Sequence, residues 1–366
     1  MLRARKNARP PNCDMLSACE ETMKYLNAAA VTLLSFPMCL AAQGTSPAAP
    51  ATPVSNSPAK LPGNGLAQHP FLYCGEWNHI QQQQTMWIIR DGKPVWSYSI
   101  PLNVIFNNKA DIEELGDCTQ LSNGNIVFST RMGAAEITPA KEVIWQIINP
   151  PGTETHAIQP IGLDHVLIVQ NGDPAKMMVI NTTNNKIEKT IPIPVKNPGS
   201  SHGQLRRVRM TPAGTFLVAH MDLNKVAEYD DSGKEIWSYA TPGPWDAVRL
   251  SNGNTLLTGD AHGYVKEVNP AGDVVWSIDR TDLSGYTIGN IQDVQRLANG
   301  DTVFSNWVPN TLKPEQWASS VQLFEVTPAK KIVWALRQWD GPNLGPASGI
   351  QMLDQPGVPE KNEQQR

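Results

Sequence analysis

Charge is scarce in this chain of 366 residues: Asp, Glu, Lys and Arg make up only 17%, and the formal net charge is −4. With both signs interspersed there is no electrostatic footprint for a polyanion, which argues against nucleic acid as a partner. Cysteine is scarce too, and of the five present only Cys74 and Cys118 lie beyond residue 42. They fall near the same ends of strands in adjacent repeats, so a disulfide and an ordinary pair of buried thiols both stay open. No His-x-His or His-Glu-x-x-His spacing occurs, so no local signature supports a metal and the metal is left unknown. Long apolar runs are missing as well. The one stretch of note, residues 26–42, is short and interrupted by Pro37, which disfavours a membrane anchor.

That stretch follows Met23-Lys24 and ends in small residues, the pattern of a secretory signal peptide with cleavage after Ala42. Residues 1–22 read as an upstream extension, residues 23–42 as the signal, and residues 43–65, rich in Pro, Ala and Ser, as a disordered linker. The mature chain is expected to be exported, periplasmic or extracellular, with no stable membrane span after signal cleavage. Residues 66–354 carry the fold, and residues 355–366 form a polar tail.

What is present is one pattern written repeatedly. The clearest copy, from Ala247, reads AVRLSNGNTLLTGDAHGYVKEVNPAGDVVWSI; related copies start at Cys118, Val208 and Val294. A period of about 40 to 50 residues marks a repeat architecture. Each copy holds four short runs of Val, Ile, Leu, Phe and Trp separated by turn residues, which is the strand signature. Asn252-Gly253 supplies residues that tolerate positive φ for a hairpin, and Pro270-Ala271-Gly272 suits another turn. Such sheets bury their faces only by stacking round an axis. The expected fold is therefore all-β: a six-bladed β-propeller of four-stranded antiparallel blades. Inner strands start near Leu115, Thr155, Gln204, Trp245 and Ile291. Three strands near 71–75, 86–90 and 94–99 lack an inner partner, and the terminal strand near 348–353 completes this first blade and closes the ring.

The outermost strands carry Trp96, Trp145, Trp237, Trp276 and Trp334 at equivalent places, while the third repeat departs with Asn185-Lys186-Ile187-Glu188. These indoles read as wedges between blades, each burying roughly 150 to 250 Å², and not as ligand platforms.

Polar residues gather where the loops vary, on the face that carries entries to inner strands and connections from second to third strands. His156 and His202 lie at inner-strand entries, and His220, His262 and His79 in or near second-strand ends. An imidazole-lined funnel suits metal binding or proton transfer, although a satisfied structural role is the bland reading for each. Asp117, Asp246 and Asp293 share one register, with Ala157 and Arg206 in their place in two repeats; they suit ligand binding or capping of backbone amides. Arg206 is expected to aim into the funnel beside His202, and alternation sends Arg207 to the opposite side. A second register holds Glu76, Arg131, Asn171, Met221, Asp260 and Trp307, all different, as an asymmetric pocket requires. Trp77, Trp245, Trp307 and Trp317 fall in loops that blade packing does not need, and Gln292 neighbours Asp293.

The Asn-Gly hairpin and Val-Val-Trp repeat resembles that of the quinoprotein-like (PQQ-like) propellers of bacteria. With six blades and a leader, the chain looks most like their arylsulfotransferase-like branch over residues 71–353. That resemblance implies a central histidine that is transiently sulfated, assisted by other histidines and an arginine; His156, His202, His220, His262 and Arg206 stand in the region concerned, and none matches a diagnostic motif. It disfavours the quinone itself, since the quinone-dependent dehydrogenases have eight blades, and no cofactor is expected. Two functions stay open. One is a His-dependent transferase or lyase acting on a polar or anionic ligand, sulfated, aromatic or carbohydrate. The other is a non-catalytic propeller that binds glycans or protein.

Overall fold

The computed structural model describes residues 58–106, 109–259 and 262–366. Six four-stranded antiparallel sheets account for the repeats, as the sequence leads one to expect. The second blade runs outward as Leu115–Gln120, Ile126–Thr130, Gly133–Ile137 and Val143–Ile148. Blades three to six begin on Glu154–Ile161, Leu205–Met210, Pro244–Arg249 and Val294–Arg296. The first blade takes its inner strand from far along the chain: Ala347–Met352 pairs antiparallel with Phe71–Asn78, followed by Gln83–Arg90 and Lys93–Pro101. A hairpin of Asn103–Phe106 and Lys109–Ile112, outside the repeat, joins blades one and two.

The hairpin turns explain the Asn-Gly signature in a slightly different way from the sequence reading. Gly124, Gly214, Gly253 and Gly300 alone take positive φ, between +80° and +93°, where a side chain would be strained. The Asn before three of these glycines instead caps the turn: Asn123, Asn252 and Asn299 accept from the amides of Asn125, Asn254 and Asp301 at 2.9 to 3.0 Å.

The outer tryptophans do act as pegs between blades. Trp96, Trp237 and Trp276 each donate Nε1–H to the carbonyl of a turn proline in the next blade, Pro139, Pro270 and Pro328, at 2.9 to 3.1 Å. Where the repeat departs, so does the bond. The third blade has Asn184-Asn185 in place of a Pro turn, and the buried Trp145 Nε1 has no partner. Trp334 faces the first blade, whose turn is Asp91-Gly92, and donates instead to the Gly65 carbonyl at 2.9 Å. A disulfide between Cys74 and Cys118, with Cα atoms 6.5 Å apart, ties blade one to blade two.

Each of the inner strands of blades two to five carries one extra residue against its neighbour, a β-bulge near the upper end. A bulge turns two successive side chains to the same side. That is why Arg207, expected on the far side from Arg206, also points to the axis. There it meets Asp117 at 2.6 Å and Asp293 at 3.8 Å. Arg209 meets Asp117 at 2.7 Å and Asp246 at 3.8 Å. The tail, residues 355–366, crosses the lower face. Its Glu360 accepts from the Ser122 amide and its Arg366 guanidinium reaches Ile350, Cys118 and Thr119. Three arginines thus neutralise three aspartates in the middle of the ring, all of them buried.

The axis titrates unevenly. Burial alone would raise Asp117, but Arg207, Arg209 and Arg366 outweigh it and hold the carboxyl well below the usual range. Burial, opposed by Arg209 and reinforced by Asp293, pushes Asp246 up to about 6. A depressed carboxyl stabilises the fold fully above its unfolded value near 4, and loses that contribution as pH falls further. A raised one does the reverse: the folded state gains stability as pH falls from about 6 toward about 4. We therefore expect Asp117→Asn to cost about 3 to 5 kcal/mol at pH 7 by stranding two guanidiniums. Asp246→Asn, which mimics the protonated carboxyl, should unfold at a higher temperature than the parent at pH 7, and the difference should shrink as pH falls toward about 4. Thermal unfolding followed by circular dichroism checks both, and equal losses in the two variants would contradict this arrangement.

Candidate functional site

Above the ion cluster the bulged strand ends open into a cavity of about 290 Å³. Blade one supplies Glu76 and Trp77, the approach to blade two Glu114, and blade three His156. Blade four adds His202 and Arg206, blade five Trp245, and blade six Gln292 and Trp307. Eight of these nine were singled out from the sequence; Glu114 was not. The mouth is marked by His202, whose side chain is 55% exposed, whereas His156 is 7% exposed.

Three indoles form the wall. Trp77 is held at φ +50°, a left-handed conformation rarely adopted by a bulky residue. It turns its ring toward Trp307, 5.8 Å between centroids. His79 and Trp317 pack behind it, His79 edge-on to both indoles. Trp317 is itself buried against Val308, Leu312 and Trp339 under the long loop of blade six, the packing role rather than the ligand role. Trp245 lies under the Arg206 guanidinium at 4.6 Å, a cation–π contact. Arg206 Nη1 also donates to the carbonyls of His202 and Leu205.

The floor is acidic and histidine-bearing. Glu154 Oε2 accepts from His156 Nε2 at 3.1 Å and from His202 Nδ1 at 3.0 Å. Arg131 stands behind it, 3.9 Å from Glu154 and 2.6 Å from Asp111 of the joining hairpin. Glu114 Oε2 lies 3.9 Å from His156 Nδ1 and 4.0 Å from His202 Nδ1. Glu114, His156 and His202 thus place three donor atoms within 4.8 Å of one another, a geometry able to hold a metal ion. Burial first, then the charge of Glu114, pushes Glu76 well above the ordinary carboxylate range. Burial and then Arg206 lower His156 to about 3. Burial would raise Glu154, but the hydrogen bonds and charge of His156 and His202 outweigh it and hold this carboxyl well below the ordinary range.

Met221 of the asymmetric register also lines the cavity; the remaining sequence candidates lie elsewhere. His220 is buried inside blade four, where its Nε2 and the Tyr229 hydroxyl share a hydrogen bond of 2.9 Å. Burial, then Lys225, lowers it to about 3. His262 is exposed and outside the cavity lining. Asn171 donates to the Leu205 carbonyl at 3.0 Å, and Arg131 serves behind the histidines. Asp117, Asp246 and Asp293 sit below, paired with arginines and accepting from the amides of Ile158, Ala247, Val294 and Ile350. Asp260 lies outside the described residues. Glu114, Glu154, Asn290 and Asn310 escaped the sequence reading. Glu154 had a signal: it stands two residues before His156 on a strand, hence on the same side.

The sequence matches no family model and no curated protein. Among solved structures, the chain is similar to a protein of unknown function from Bacteroides caccae, at 22% identity and a TM-score of 0.64, covering 77% of this chain and 97% of that one. It is also similar to a catalytically inactive virginiamycin B lyase from Staphylococcus aureus with quinupristin, at 15% identity and a TM-score of 0.49, covering 77% and 89%. At these identities the likeness establishes the β-propeller fold and no activity. Among the described residues no helix is long and apolar enough to cross a membrane.

Proposed function

We propose that this chain binds a small polar ring compound, a sugar or a hydroxylated aromatic, in the funnel of one face, with the His156–His202 pair as its reactive group. The observation that carries the reading is the composition of one cavity: indoles from blades one, five and six stand over carboxylates, amides and imidazoles. Indole faces stack on the apolar side of a ring, while Glu76, Glu114 and Gln292 suit its hydroxyls. A cavity of about 290 Å³ holds about ten waters' worth of volume, enough for one ring and too little for a folded peptide. The arylsulfotransferase-like resemblance suggests an anionic ligand. The floor argues otherwise, since Glu76 and Glu114 line the cavity beside Arg206, and a neutral polyol or phenol meets them without repulsion.

Tryptophan fluorescence titrated with a panel of monosaccharides and dihydroxybenzenes tests this. A saturable quench in the parent should weaken at least about tenfold in Trp245→Ala, as loss of a stacked ring implies. No saturable response to any panel member up to millimolar concentration would overturn the proposal. Conversion of the bound compound by the parent but not by His156→Asn separates an enzyme from a binding protein.

We further propose that the chain works outside the cytoplasm. The disulfide between Cys74 and Cys118 supports this, since such bonds persist in oxidising compartments. N-terminal sequencing of protein recovered from periplasm or medium should begin at Gln43. Recovery only from the cytosol, with both thiols free, would defeat the idea.

A further inference from the structure

We propose that Glu114, His156 and His202 bind a divalent metal ion of the zinc class, with an open coordination position facing the tryptophan-walled cavity. For the ligand at that open position the inference rests on the reading above; the metal site itself stands on its own geometry.

Four observations point the same way. First, the donors are gathered but slightly spread. Glu114 Oε2 lies 3.9 and 4.0 Å from the two imidazole nitrogens, whereas neighbouring ligands around a tetrahedral ion with bonds of about 2.0 to 2.1 Å are about 3.3 Å apart. Contractions of about 0.6 to 0.7 Å on these two pairs, and of at most about 1.5 Å between the imidazole donors, close the site. His202, exposed on the turn Ser201–Gly203, is free to supply its share. Second, Glu114 is a buried carboxylate whose attraction to His202, Arg206 and Arg131 does not offset its burial. Its side chain is 8% exposed, and among the described residues no hydrogen bond is recorded to either carboxylate oxygen. A buried carboxylate lacking donors is costly, and a cation at this point removes the cost.

Third, the supporting shell is in place. A carboxylate only accepts, so Glu154 fixes the hydrogen of His156 on Nε2 and leaves the Nδ1 lone pair on the Glu114 side. A carboxylate behind a ligating histidine is the usual device for orienting it. Glu154 is itself steadied by Arg131 and, through it, Asp111. Fourth, the donor set selects the ion. Two imidazole nitrogens and one carboxylate oxygen suit zinc, cobalt, nickel or copper, while magnesium and calcium favour oxygen alone. Loading turns His202 Nδ1 from Glu154 to the ion, with its hydrogen moving to Nε2. Three protein ligands leave a fourth position for water or the ring compound, the arrangement of a reactive rather than a structural zinc.

The test uses the full mature chain, stripped with a chelator and titrated with Zn²⁺ by calorimetry and with Co²⁺ by visible absorption. One equivalent per chain is expected, with the intense d–d bands of a four- or five-coordinate cobalt site. Glu114→Gln and His156→Asn should each weaken Zn²⁺ binding by at least about a hundredfold, and Glu154→Gln by about 10- to 100-fold. His262→Gln, away from the cavity, should bind as the parent does. Near-UV circular dichroism confirms that each variant is folded; should one variant unfold, the others decide. Binding weaker than millimolar in the parent, or unchanged in folded Glu114→Gln, would overturn the proposal. Quenching by ring compounds in the stripped chain keeps the two ideas apart: quenching without zinc binding sinks only the metal, and zinc binding without quenching sinks only the ring ligand.

Discussion

The interaction on which the rest of this molecule depends is the neutralisation of its axis. Six inner strands converge on a narrow channel, and three of them bring an aspartate to the same depth. Moved from water, each would cost several kcal/mol unpaired. Arg207 and Arg209, both from blade four, and Arg366 from the tail meet them. The pairing links blades two, four, five and six with the strand that closes blade one, through the Ser348 and Ile350 backbone. Hydrophobic stacking between blades is non-directional and would tolerate slippage. Buried charge pairs do not, so the ion cluster fixes the register at which the sheets meet and provides a solid floor for the cavity above it.

Much of this was legible in the residues. The repeat gives the blade, the blade gives the strand order, and the missing inner strand of the first blade gives closure. Tryptophans at one register announced the pegs, and the single repeat without Trp and Pro is the one where the peg bond fails. Site residues chosen by face converged well: Glu76, Trp77, His156, His202, Arg206, Trp245, Gln292 and Trp307 do surround one cavity. The choice succeeded because topology, not local chemistry, decides which face a loop occupies.

What could not be read was anything set by an irregularity. Strict alternation places Arg207 away from Arg206, and one extra residue in the strand overturns it. The three aspartates lie on the expected inner side but one layer too deep, where arginines rather than a ligand meet them. His220 shares a strand end with the cavity residues, yet its ring turns into the blade toward Tyr229. Glu114 and Glu154 belong to no repeated register at all. The tail reads as a polar appendage because its value lies in one guanidinium, and no periodic pattern marks a single side chain.

The contrast between the two levels of the channel carries the functional argument furthest. Below, acid and base are matched and every aspartate lies near a guanidinium. Above, Glu76 and Glu114 are buried under the partial attraction of Arg206, a guanidinium that also lies over Trp245 and donates to two carbonyls, and burial prevails in raising both carboxyls. A fold able to neutralise its axis so completely has no structural need to leave carboxylates only partly compensated beside paired imidazoles. Raised proton affinity at Glu76, the left-handed backbone of Trp77 and the spread donors of Glu114 and the histidines are local costs concentrated in one cavity of one face. Costs collected in that way support the proposed ring compound and cation, which would supply what the protein withholds.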